Sequence, residues 1–332
     1  MYGKAIVIFH GDCDGAISAG LYIRHFLMDF FPSNIILKYS HPWRLEQDLV
    51  NAFKKISRES IDTIVILDLA IRDTVIDMLL KNFKNKSTNI VIIDHHLSSL
   101  HAIEMLKNRA INIRTYWNGV QSTPQVIASL LVKNLNTYEK FLVNVANICE
   151  GGDAEEINVK NIADKIKLVL AIEPLNEKLI LSTVESIVKG EEFWNSNEFE
   201  SRFWKGKWLL RLLLKKIEER VEQICKWHLA SFTATESLIF AGLFGIASSE
   251  YIKKYKYPIV LLREEEDKAV VTVRSAEGKA LEFCKNLAQW LTQKVEGVYG
   301  GHKEAASITI RNYESLEKLK NMLKEYIKNT LC

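Results

Sequence analysis

The chain is 332 residues long, enough for one large domain or two ordinary ones, and its 48% hydrophobic and 26% charged residues describe a soluble globular protein. A net charge of +3 singles out no partner, although a local basic patch would still suit nucleic acid. No apolar run approaches the roughly 18 residues of a membrane span, which excludes a helical membrane protein. Cys13, Cys149, Cys225, Cys284 and Cys332 form no CxxC pair, which points to reduced thiols in a cytoplasm and excludes a zinc ribbon. The first residues lead straight into a strand without a signal peptide. Five prolines beside abundant Lys, Ile, Leu and Glu suit a thermophile.

In chain order, Lys4–Phe9 reads as a buried strand, followed by the turn His10-Gly11-Asp12-Cys13-Asp14-Gly15 and a helix over Ala16–Phe30. Ile35–Tyr39 is a second strand, Arg44–Ile56 an amphipathic helix, and Thr63–Leu67 a third strand ending at Asp68. A helix over Arg72–Phe83 precedes Asn89-Ile90-Val91-Ile92-Ile93, a strand that stops at Asp94-His95-His96. Ile111–Tyr116 is a fifth strand, and Pro124–Leu135 and Lys140–Cys149 are helices, the second running into Glu150-Gly151-Gly152-Asp153. This alternation predicts an α/β domain over residues 1–156, a parallel sheet with helices on both faces. Residues 157–234 read as a helical connector carrying Trp194, Trp204, Trp208 and Trp227 among basic residues. Residues 235–332 form a smaller α/β domain: strand Ser237–Phe244, helix Ser248–Lys254, hairpin Ile259–Arg263 with Ala269–Arg274, helix Ala280–Thr292, strand Ser307–Arg311 and helix Leu316–Thr330.

Chemistry concentrates at the carboxyl ends of the first domain's strands, where ligands bind in open α/β sheets. His10, Asp12 and Asp14 alternate on an extended segment, so their side chains share one side. Capping the next helix would account for one acid, not for two acids and a histidine. Gly15 lets the chain turn into that helix. Taken singly, Asp68 or Asp94 could be a helix cap, and Asp153 an ordinary loop residue. Together they converge at strand and loop ends with no basic residue to neutralise them, and buried carboxylates repel unless cations hold them. Mixed carboxylate and imidazole donors suit Mn²⁺ or a similar first-row ion.

These motifs resemble the DHH phosphoesterase superfamily. His10-Gly-Asp12-Cys-Asp14-Gly15, Asp68, Asp94-His95-His96 and Asp153 are similar to its four motifs, in order; Arg274-Ser275 and Gly300-Gly301-His302 resemble the signatures of its C-terminal associated domain. The resemblance implies a Rossmann-like first domain and a cleft against the second. It implies two Mn²⁺, with Mg²⁺ or Co²⁺ as substitutes: one held by His10, Asp12 and Asp68, the other by Asp14, Asp68, His95 and Asp153, with Asp68 bridging. Asp94 would orient His95 or join the ligands, His96 would face the substrate phosphate, and Arg274, Gly300, Gly301 and His302 would bind substrate.

The activity so implied is a two-metal phosphodiesterase or exonuclease, RecJ-like or nano-RNase-like. It would release nucleoside monophosphates from single-stranded DNA or RNA or short oligonucleotides. No appended oligonucleotide-binding barrel is discernible, which favours short substrates. Two other readings remain: a scaffold that works with replication or repair proteins, as some archaeal and eukaryotic relatives do after losing motif residues, and a cyclic-dinucleotide phosphodiesterase. The Trp residues of the connector either pack helices together or stack on bases.

Overall fold

The first sheet forms because five apolar runs are buried on both faces, as parallel strands flanked by helices must be. The computed structural model describes residues 3–42, 44–56, 61–83, 87–106, 112–291 and 296–332. Strands β1 (Lys4–His10), β2 (Ile35–Ser40), β3 (Ile61–Leu67), β4 (Asn89–Asp94) and β5 (Ile113–Trp117) are all parallel, in the order β2-β1-β3-β4-β5. Between them run α1 (Cys13–Phe26), α2 (Leu45–Ile56), α3 (Asp73–Phe83) and α4 (Leu100–Leu106). Ile6, Ile8, Ile64, Ile66, Ile90 and Ile92 pack with Leu45, Leu49, Val75, Leu79 and Leu106 of α2, α3 and α4. The alternate residues Val7, Phe9, Val65, Leu67 and Ile93 are also buried, which is why these runs show no polar alternation.

The sheet order itself selects a place for a ligand. From β1 the chain moves outward to β2, then crosses back over β1 to β3, so the direction of winding reverses between β1 and β3. The crevice outside the carboxyl ends at such a reversal is where α/β sheets take ligands. The register lines those ends up, with Phe9 opposite Leu67, Leu67 opposite Ile93 and Asp94 opposite Trp117. His10, Asp68 and Asp94 therefore leave the sheet at one level.

After β5 come α5 (Thr123–Leu130), α6 (Thr137–Cys149), α7 (Ile157–Ile172), α8 (Glu177–Lys189) and α9 (Asn197–Arg220). Helix α1 packs against α5, α6 and α8. Across these helices Arg24 pairs with Glu139 at 3.0 Å and donates to the Val188 carbonyl at 2.7 Å. Among the described residues no helix is long and apolar enough to cross a membrane.

The chain divides into two compact units, residues 1–170 with 174–201 and residues 171–173 with 202–332. The second unit carries β6 (Glu222–Ile224), β7 (Trp227–Phe232), α10 (Ala234–Ile239), α11 (Phe244–Tyr255), β8 (Ile259–Glu264), β9 (Ala269–Arg274), α12 (Ala280–Leu291), β10 (Glu296–Gly301), β11 (Ala305–Arg311) and α13 (Leu316–Leu331). Its sheet runs β10-β11-β9-β8-β7-β6, antiparallel except for the parallel pair β7–β8. Phe283, Cys284 and Leu287 of α12 and Leu319, Leu323, Tyr326 and Ile327 of α13 bury one face of it.

Four expectations are corrected. Ser237–Phe244 is not a strand: Thr233 and Glu236 form a reciprocal capping box that starts α10 instead. The stretch read as wholly helical contains β6 and β7, and Trp227 is a buried strand residue. Between the expected helix Ala280–Thr292 and strand Ser307–Arg311, where no further element was expected, Gly297–Gly301 belongs to edge strand β10. The cysteines are not all free: Cys13 is bonded to Cys149 and Cys225 to Cys332, leaving Cys284 as a buried thiol. The partners lie 136 and 107 residues apart, so no local spacing could reveal them. Their pairing removes the argument for a cytoplasm that rested on reduced thiols. Ile111 and Thr292, the ends of two expected elements, lie outside the described residues.

Candidate metal centre

Each acid of the first motif is set by the start of α1. Asp12 is the N-cap, its Oδ1 accepting from the Gly15 N–H at 3.0 Å. A Cβ on Gly15 would fall 2.2 Å from the His10 carbonyl oxygen, so only glycine lets the helix begin this close to the strand end. Asp14, one residue into the helix, is buried and accepts from the Ser18 hydroxyl at 3.2 Å. His10 closes β1 with Nδ1 2.9 Å from Asp12 and 3.7 Å from Asp68.

Asp68 sits at the middle of the cluster. It leaves β3 in the left-handed region at φ 56°, a conformation Asp and Asn tolerate better than other side chains. Its N–H still extends the ladder to the Ile93 carbonyl at 3.0 Å. The strained backbone turns the carboxylate inward, where His95 Nε2 lies 3.5 Å and His96 Nδ1 3.8 Å away. His95 Nε2 is also 3.4 Å from Asp14, and its Nδ1 is 3.4 Å from the Val120 carbonyl oxygen.

Within the first unit, three groups of described residues can each place a ligand atom from every member within 4.8 Å: His10, Asp12 and Asp68; Asp14, Asp68 and His95; Asp68, Asp94 and His96. Asp68 belongs to all three. Asp94 bonds His96 at 2.7 Å rather than His95, and of the two roles open to it, orienting His95 or joining the ligands, its group with Asp68 and His96 is compatible with the second. Asp94 is fixed from behind by the Ser99 hydroxyl, which accepts in turn from the Ile71 N–H at 2.8 Å. Asp153 is exposed beyond the end of α6 and is in none of these groups.

Two contributors escaped the sequence reading. Thr123, in the first turn of α5, donates its N–H to Asp14 at 3.1 Å and its hydroxyl to Asp68 at 3.0 Å. Ser122-Thr123-Pro124 is a helix-start signature whose free amides attract anions, but nothing in it names the anion. Glu150, the C-cap of α6, is close enough to act on both Asp14 and His96.

The charges show what the cluster lacks. Burial, then Asp68, Glu150 and Asp12, push the Asp14 carboxyl well above the usual range. Burial also raises Asp68, in spite of its bond to His10. Burial works against charge on His96, but Asp94 and then Asp68 and Glu150 override it and carry the imidazole up to about 9. His10 likewise rises, because Asp12 and Asp68 outweigh its burial. Protons are thus retained on acids and imidazoles to offset mutual repulsion, the work a divalent cation does in a site of oxygen and nitrogen donors. The donor set fits such an ion, with His10, Asp12, Asp14, Asp68 and His95 as holders.

Residues 4–150 match the model of the DHH family N-terminal domain, and residues 232–329 match that of the DHHA1 domain. The chain belongs to the DHH superfamily. Among solved structures this DHH protein is similar to exonuclease RecJ bound to manganese, at 16% identity and TM-score 0.60, covering 99% of this chain and 91% of that one. It is similar to the pGpG-specific phosphodiesterase PggH from Vibrio cholerae, at 14% identity and TM-score 0.55, covering 98% and 99%. It is also similar to CDC45 from Entamoeba histolytica, at 13% identity and TM-score 0.60, covering 97% and 95%. At these identities the likeness is one of fold. No curated protein matches the sequence.

The DHHA1 residues expected to meet substrate lie at one end of the neighbouring strands β9, β11 and β10 of the second unit. Arg274 ends β9 opposite Ala305, Gly300 and Gly301 pair with Ser307 and Ala306, and the His302 N–H donates to the Ala305 carbonyl at 2.7 Å. An antiparallel ladder turns only alternate amides outward, so at most one of the two glycine N–H groups is available to a phosphate. Gly301 has φ 133°, and a Cβ there would lie 2.4 Å from the Ala305 carbonyl oxygen. Gly301→Ala is expected to cost about 2 kcal/mol of stability, read as a lower urea midpoint at unchanged slope. An unchanged midpoint would show that the turn does not require glycine.

Proposed function

We propose that this chain is a metal-dependent phosphodiesterase that hydrolyses single-stranded DNA or RNA, or short oligonucleotides, to nucleoside monophosphates. The observation that carries the reading is the donor set His10, Asp12, Asp14, His95 and His96 gathered around Asp68, a carboxylate common to all three candidate groups of the first unit. A DHH protein that served only as a scaffold would have no need to gather His10, Asp14, Asp68 and His96, four groups with raised pKa values, at one place. Two Mn²⁺ are the proposed cofactors, with Mg²⁺ or Co²⁺ as substitutes. Such ions would supply hydroxide near neutral pH and neutralise charge on the phosphoryl oxygens.

The chain's own residues then divide the remaining work. Asp68 would hold the metal-bearing edge of the site together. Thr123 keeps Asp14 and Asp68 aimed, and Ser99 and Asp94 keep His96 oriented and protonated, so that it can donate to a phosphate oxygen. Arg274, Gly301 and His302 are the proposed phosphate contacts from DHHA1. PggH, named for a two-nucleotide substrate, supports the shorter end of the range.

The test is incubation with Mn²⁺ and end-labelled DNA and RNA of two to thirty residues, with the products resolved. Monophosphates released without larger intermediates from the shortest substrates support the proposal. No cleavage of any length, with manganese bound, removes it in favour of a scaffold. Cleavage of cyclic dinucleotides alone would select the cyclic-dinucleotide reading. Arg274→Ala is expected to keep the manganese content of the wild type while kcat/KM falls about ten-fold or more, the usual worth of one phosphate-directed donor. A variant without metal would show that Arg274 supports the centre instead.

A further inference from the structure

The connector's tryptophans separate into two kinds. Trp194 and Trp227 are 3% and 4% exposed and pack in cores, whereas Trp204 and Trp208 are 58% and 61% exposed on the outer face of α9. One helical turn apart, they stand side by side. The same face continues with exposed Lys205, Arg211 and Lys215, while Leu209, Leu213 and Ile217 turn inward. Lys207 adds a cation 5.0 Å from the Trp204 ring centre and 5.4 Å from that of Phe203. All of these residues belong to the second unit.

Two neighbouring indoles that are each more than half exposed offer flat apolar surface to a ligand, and the charges around them select which one. Lys215 faces Glu219 at 3.8 Å in an exposed pair that a phosphate displaces at little cost. Exposed Lys205 lies 3.4 Å from the half-buried Glu173, which Arg202 also holds at 3.3 Å, so Glu173 keeps a partner when Lys205 turns to a phosphate. A second copy of this chain would have to bring acidic residues to the stripe. Single-stranded nucleic acid brings flat base faces and phosphates in alternation, the pattern that Trp and Lys or Arg make along the helix.

We infer that the outer face of α9, Trp204, Lys205, Trp208, Arg211 and Lys215, is a stacking platform for single-stranded nucleic acid. This rests on the phosphodiesterase reading and extends it to substrates longer than the shortest oligonucleotides. Each ring stacks one base, and the cations meet about three phosphates.

The full chain is titrated in EDTA with fluorescein-labelled dT15 and with an abasic 15-mer carrying the same phosphates. W204A/W208A is expected to weaken dT15 binding by about ten-fold per ring and to leave the abasic strand unaffected. W204F/W208F should recover most of the loss. K205A/R211A/K215A should weaken both ligands and reduce the slope of log K against log salt by about 2. Unchanged dT15 binding by W204A/W208A overturns the inference. If those substitutions instead convert a dimer to a monomer, or abolish binding to phosphatidylserine vesicles, with dT15 binding intact, the face belongs to a second copy or an anionic membrane. The wild-type protein's Mn²⁺-dependent hydrolysis of a dinucleotide is read alongside. Its absence removes the phosphodiesterase reading; its presence with unaltered dT15 binding by W204A/W208A removes the platform alone.

Discussion

Asp68→Asn is expected to lower Mn²⁺-dependent hydrolysis by about 10³-fold, the factor that about 4 kcal/mol of lost charge stabilisation represents, with an unaltered circular dichroism spectrum. Asparagine is the right substitution because residue 68 sits at φ 56°, where Asn fits and Ala would add backbone strain to the loss of a ligand. The Thr123 hydroxyl can still donate to the amide oxygen, so the hydrogen bond recorded at 3.0 Å survives. Manganese bound after equilibrium dialysis should fall in the same variant, because Asp68 is shared by all three candidate groups of the first unit. Turnover near that of the wild type would mean that the centre is organised around some other residue.

The second large effect concerns the protein without metal. Asp14 and Asp68 have folded pKa values above their unfolded ones. Groups of that kind favour the fold at low pH, and the contribution is lost as pH rises through the folded value. His96, raised to about 9, extends the same loss over the interval from about 6.5 to 9. In EDTA the Tm should therefore decline as pH rises across this range, and saturating Mn²⁺ should abolish the decline. Asp14→Asn should melt higher than the wild type in EDTA near pH 8. Relief of about 1–3 kcal/mol at about 2–4 °C per kcal/mol makes a gain of several degrees. The variant should gain less from added Mn²⁺. The amide can accept from the Thr123 N–H and donate to the Ser18 hydroxyl, so neither existing contact is left empty. A lower Tm in EDTA would show that Asp14 stabilises the fold through its hydrogen bonds rather than straining it by charge.

Strand ends were legible because a run such as Ile90–Ile93 terminating in Asp-His-His juxtaposes two kinds of side chain that sharing a sheet cannot explain. Where the reading failed, the missing information was not local. Thr123 and Ser99 are hydroxyl residues at helix starts, and only the fold shows which carboxylate each one faces. Asp94 and His96 meet because they are two residues apart on extended chain, a choice the motif left open. β7 lies within a lysine- and leucine-rich stretch whose texture is helical, and its pairing with β8 decided the matter. The capping box at Thr233 was the exception, a local signal present in the sequence that outweighs the apolar run after it.

The bond between Cys13 and Cys149 joins the first residue of α1 to the last residue of α6. Everything between them, including four of the five strands of the first sheet, is thereby one covalent ring closed next to Asp12, Asp14 and Glu150. A protease that cuts a loop inside this ring divides the peptide chain but frees no fragment. The two pieces migrate together on a denaturing gel until a thiol opens the ring, and only then part into a segment carrying His10 and one carrying Glu150.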